Sequence, residues 1–135
     1  MEGLGVLINR LGGNEKTVAA VQQALGKVLI AITLDDNKLT LTIDGGARIV
    51  LWDDGQSCCE SRYMRTDDDL ASFVGATVQS MELAAAPNVE SADEYGEEHE
   101  VQFLRILTDK GPLVLSNHNE HNGYYGGFSI AAKVI

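Results

Sequence analysis

The chain has 135 residues, enough for one domain with a real core, and 44% of them are hydrophobic. Twenty acidic residues against ten basic ones give a formal net charge of −10. A field of that sign repels phosphate backbones and anionic lipid, so direct nucleic-acid binding and membrane association are not expected, and basic protein surfaces become the fitting partners.

Met1 to Gly13 is apolar with glycine interruptions and reads as a short strand at Val6–Ile8 or a docked arm. It lacks a basic segment followed by a long apolar run, which points to a reducing cytoplasm rather than to export. Asn14 is a good N-cap for a helix over Glu15–Leu25, with Val18, Val21, Gln22 and Leu25 on one face and Gly26 as its stop. Lys27–Leu34, Lys38–Ile43 and Ala47–Trp52 read as three strands, turned at Asp35-Asp36-Asn37 and Gly45-Gly46. Asp53–Tyr63 follows as an acidic, cysteine-containing loop.

The second half has the same layout. Asp67-Asp68-Asp69 opens a short helix at Leu70–Val74 that Gly75 ends, and Thr77–Ala84 is a strand. Pro87–Glu97 is acidic and turn-rich and reads as a long exposed loop. Glu100–Leu107 and Pro112–Ser116 are strands joined at Asp109-Lys110-Gly111; Asn117–Tyr125 reads as a loop and Phe128–Ile135 as a last strand. Gly26 and Gly75 are 49 residues apart, and Gly46 and Gly111 are 65 apart. Aligned on these glycines, the chain reads as an α+β single domain, residues 1–135. It is mostly antiparallel β-sheet with two helices, in pseudo-repeated α-β-β-β units of about 14–65 and 66–135.

Ser57-Cys58-Cys59-Glu60-Ser61-Arg62-Tyr63 and the later Asn122-Gly123-Tyr124-Tyr125 carry a resemblance. The order and spacing of these motifs resemble the DUF7448-like family of small phage, prophage and bacterial proteins, over about Lys27 to the C-terminus. The resemblance implies a phage-type provenance and no particular chemistry.

Cys58 and Cys59 are adjacent, which disfavours a disulfide between them. With His118 and His121 they offer zinc-ligand types, but adjacent cysteines seldom share one tetrahedral centre, so no metal and no cofactor is expected. Asp67-Asp68-Asp69 lacks calcium-loop spacing and suits a helix start. No nucleophile, phosphate-loop or metalloprotease motif is present, and the acidic setting disfavours a reactive cysteine beside His118 or His121, so no enzyme is expected. The binding candidates are Glu60, Arg62, Tyr63, Asn119, Asn122 and Tyr124, together with the acidic stretch containing Asp93, Glu94, Glu97 and Glu98. The structural alternative is that Glu60 and Arg62, two apart in an extended chain, form one side of a structural ion pair, or that Glu60 accepts backbone N–H groups of the loop. The small size and acidity, together with the phage-type provenance that the resemblance implies, lead to the expectation of a small acidic binding protein that engages a basic host protein and inhibits a defence protein such as a CRISPR nuclease. The alternatives are a binder that sequesters a nucleotide signal through Tyr63, Tyr124, Arg62 and Arg65, and a zinc-containing structural protein. Open sheet edges favour a homodimer.

Overall fold

The computed structural model describes residues 15–55, 61–85, 98–121, 128 and 130–135. The expected N-terminal strand, Cys58, Cys59, Glu60, Asp93, Glu94, Glu97, Asn122 and Tyr124 lie outside the described residues.

Among the described residues one α-helix, α1 (Glu15–Ala24), buries Thr17, Ala20, Val21 and Ala24, the positions that share one face at 3.6 residues per turn. Gly26 ends it with φ +79°, a conformation that costs a side chain about 1–2 kcal/mol. Strands β1 (Leu29–Asp35), β2 (Lys38–Ile43) and β3 (Arg48–Asp53) form an antiparallel meander. Its first turn is a two-residue hairpin in which Asp36 and Asn37 both take positive φ, matching the strand twist.

The second expected helix is a 3₁₀ turn, Leu70–Phe73. Asp69 caps it by accepting from the Ala71 amide, but Gly75, at φ +91°, follows too closely for an α-helical turn to propagate. Strands β5 (Val78–Ala85), β6 (Glu98–Thr108) and β7 (Gly111–His121) make a second meander. Two stretches are strand where a loop was expected. Strand β4 (Ser61–Arg65) occupies the end of the expected cysteine loop, and β7 runs through Asn117–His121, where a loop was expected. Both corrections have one cause. β4 and the far half of β7 pair with each other, and β6 flanks β7 on its other side, so backbone pairing overrides the poor strand preference of Asn-His-Asn-Glu-His. The last strand, β8, spans Ile130–Val134.

The strand orders are β1-β2-β3-β8 and β4-β7-β6-β5. Each meander therefore takes its fourth strand from the other half of the chain. β4 crosses to β7, and β8 returns to β3. Leu39, Leu41, Ile49 and Leu51 from one sheet and Met81, Leu104, Ile106, Leu113 and Leu115 from the other belong to one continuous buried cluster.

The sheets are joined at a corner by backbone hydrogen bonds. The Gly26 amide donates to Val78 O at 2.8 Å and the Gly75 amide to Leu29 O at 2.7 Å. The Leu29 amide donates to Ala76 O at 2.8 Å and the Val78 amide to Lys27 O at 2.9 Å. Val28 and Thr77 form the bridge between them. Register irregularities fall between Leu29 and Ala31 in β1 and between Val78 and Ser80 in β5.

Two outer edges are engaged by side chains. Asn37 Oδ1 accepts from the Met64 amide beside β4, and Thr17 Oγ1 accepts from the Ala132 amide beside β8, where α1 packs. Such cover blunts edge-to-edge association at those points.

Gly75→Ala is expected to cost about 1–2 kcal/mol in urea unfolding, because φ alone is at fault. An added Cβ at Gly75 meets nothing closer than Lys110 Nζ at 3.5 Å. Gly26→Ala, with open space around it, should cost a similar amount.

Candidate functional site

The inner face of the second sheet changes character from one end to the other. Cross-strand register aligns Met81, Ile106 and Leu113 in one row, and Leu83, Leu104 and Leu115 in the next. All six are buried and apolar. The third row holds Gln102, Asn117 and Met64, and the fourth Glu100, Asn119 and Arg62. Asn117 is 1% exposed and Asn119 is fully buried. Side-chain period two carries leucine into asparagine along β7 without a change of face. The apolar core thus gives way to a buried polar end.

Arg62 anchors that end. Its Nη1 donates to both carboxylate oxygens of Asp53, at 2.9 and 3.0 Å, and the two side chains are 7% and 9% exposed. The ion pair ties the last residue of β3, in one sheet, to β4, in the other. Asp53 Oδ1 also accepts from the Gly55 amide at 3.0 Å, an Asx-type turn. Gly55 is required on the other side as well, since a Cβ there would lie 2.6 Å from Arg62 Nη1. Among the described residues Arg62 pairs with Asp53, and the expected contribution of Glu60 lies outside them. Asp53, like Asn37, was not expected at the site. The Asp53-Asp54-Gly55 turn signature was the available hint.

Tyr63 lies on the opposite face from Arg62, as consecutive strand residues must. It stacks on His118 with ring centroids 4.6 Å apart and planes 6° from parallel. Arg65 sits over the same ring at 5.0 Å, a cation–π contact, and His118 Nε2 is 2.9 Å from Ser116 Oγ. The Tyr63 hydroxyl pKa is raised above 10.0. Burial is the first cause, followed by the hydrogen bond and the negative charge of Glu120, with Arg65 opposing. A cleft of about 160 Å³ opens at the β4 edge, bordered by the β1–β2 turn, Trp52, Asp53 and Arg62–Met64.

Of the expected binding residues, β4 and β7 therefore bring Arg62 and Asn119 together on the inner face and leave Tyr63 on the outer one. Glu98 lies on strand β6, opposite His121, rather than in a loop. Among the described residues no group of three His, Cys, Asp or Glu side chains is placed to hold a metal ion. Among them, no helix is long and apolar enough to cross a membrane.

Arg62→Ala is expected to destabilise the fold by about 3–5 kcal/mol in urea titration, because it strands a buried carboxylate. Asp53→Asn combined with Arg62→Ala should recover part of that loss. For Tyr63 the raised folded pKa means that its contribution to stability is complete below about pH 10 and is lost as pH rises through the folded pKa. Near-UV absorbance titration should show one tyrosine ionising late, and Glu120→Gln should move that step to lower pH.

A family model described as a domain of unknown function, DUF7448, matches residues 22–131. The match begins within α1, so it takes in part of the helix as well as both sheets. No curated protein and no solved structure matches the chain.

Proposed function

We propose, from the premise that the chain belongs to the DUF7448 family, that it is a non-enzymatic binding module of phage type. It engages the basic surface of another protein, and the fitting target is a nucleic-acid-handling protein such as a host defence nuclease. Its acidic surface would occupy positions that phosphates otherwise fill.

The observation that carries this reading is how the positive charges are used. Arg62 is committed to Asp53 and Arg105 to Glu82. Lys110 Nζ donates to Val74 O at 3.0 Å, while Arg65 and Lys133 sit over Tyr63 and Trp52. Asp35, Asp36, Asp44, Asp54, Asp67, Asp69, Asp109 and Glu120 are exposed. The surplus of carboxylates thus meets solvent while much of the compensating charge is tied down. Such a field steers association with a cationic partner and is screened over about 8–10 Å at ordinary salt.

The finer architectural reading, two pseudo-repeated halves, belongs with this proposal. Under shifts of 49 residues for the helix–strand corners and 65 for the later hairpins, each corner hydrogen bond has a counterpart: Gly26–Val78 with Gly75–Leu29, and Leu29–Ala76 with Val78–Lys27. The Asp44 amide donates to Val28 O and the Asp109 amide to Thr77 O in the same relation. These pairs support a pseudo-two-fold through the Val28–Thr77 bridge. The short 3₁₀ turn, standing where the first half has α1, is its weakest point.

Immobilised protein exposed to bacterial lysate should retain cationic proteins at low salt. Retention should fall at least about tenfold when ionic strength rises to ~1 M, where the screening length shrinks to ~3 Å. Retention indifferent to salt would remove the charge-based reading.

A further inference from the structure

The third row of the polar end contains a feature that the charge argument does not use. Asn117 is 1% exposed, yet neither its amide nitrogen nor its amide oxygen has a hydrogen-bond partner. Directly opposite, on β6, Gln102 Oε1 is also buried without a partner. A buried amide left unsatisfied costs about 1–3 kcal/mol per group, and native folds seldom retain such groups without a use. Here three orphaned atoms face the interior from one cross-strand pair.

Their chemistry is specific. Asn117 Nδ2 is a donor, while Asn117 Oδ1 and Gln102 Oε1 are acceptors. The complementary group offers one acceptor and two hydrogens, which is the edge of an aromatic amine beside a ring nitrogen. The other neighbour of Asn117 in the row is Met64, at the Cβ spacing of about 5 Å expected of facing strand residues. Met64 is 5% exposed and also borders the cleft beside β4. Its unbranched, adaptable side chain is all that the row places between the cleft and the amides. The cleft holds about 160 Å³, well under the ~300 Å³ at which ordinary ligand pockets begin, so it suits a single base-sized ring rather than a whole nucleotide.

We propose that Asn117 and Gln102 form a recognition site for a small amino-substituted nitrogen heterocycle of the adenine or cytosine type, admitted from the β4 cleft by movement of Met64. The recognition by Asn117 and Gln102 does not depend on the charged surface, although Asp36 of that surface borders the cleft.

The test uses the full chain with adenine, cytosine and uracil as probes, read by thermal unfolding and calorimetry. Uracil is of similar size but presents the opposite donor–acceptor order. Adenine or cytosine at ten times its Kd should raise Tm by about 5 °C, and uracil should not. Asn117→Leu, which replaces an unsatisfied amide with an apolar side chain of similar size, should fold and lose the shift. Gln102→Met carries the same expectation if the first variant fails to fold. Met64→Ala should keep or strengthen binding. No shift with either amine in the wild type and in Met64→Ala overturns the proposal, as does an equal shift with uracil or a shift that survives Asn117→Leu. None of these outcomes bears on salt-dependent capture of cationic proteins.

Discussion

The fold depends on the corner where Gly26–Leu29 meets Gly75–Val78. Four backbone hydrogen bonds of 2.7–2.9 Å join the start of one meander to the start of the other. They form because both segments turn through a glycine at positive φ just before entering a strand. From that corner each meander runs outward, and each is completed by a strand from the opposite half. Neither half can satisfy its own sheet. β3 needs β8, and β7 needs β4, so long-range pairing rather than local propensity holds the two halves together.

At the far end of the sheets the restraint is electrostatic. Arg62 and Asp53 join β4 to the end of β3 in a nearly buried pair. The pair is a costly element as much as a stabilising one, since its two charges are desolvated together and tolerate the loss of neither partner. Around it the inner face turns polar, with Asn119 in one row and Asn117 and Gln102 paired in the next, beside the leucine rows. A core built only for stability would have continued with apolar residues. In the third row the buried amide atoms of Asn117 and Gln102 lack hydrogen-bond partners, which costs stability locally.

Charge and packing act at different ranges in this molecule. Short-range contacts engage Arg62, Arg65, Arg105, Lys110 and Lys133, while Lys27, Lys38 and Arg48 stay exposed and the carboxylates outnumber all of them in the net charge of −10. The Tyr63–His118 stack shows the same division on the outer face. Arg65 is held over the tyrosine while Glu120 adds negative charge beside its hydroxyl.

The sequence alone determined the helix, seven of the eight described strands (β7 only in its first half) and the turns between them, because alternation in Lys38–Ile43 and the turn residues Asp36-Asn37 and Asp109-Lys110-Gly111 are local signals. It also placed Arg62, Tyr63 and Asn119 among the candidate binding residues. Only the tertiary structure decided that Ser61–Arg65 is a strand, that β7 continues through Asn117–His121, and that Leu70–Phe73 is a 3₁₀ turn rather than a helix. It alone set Arg62 against Asp53, Tyr63 against His118 and Asn117 against Gln102 and Met64. Those facts reside in strand exchange and cross-strand register. Pairing partners many residues apart leave no local period for a sequence to display.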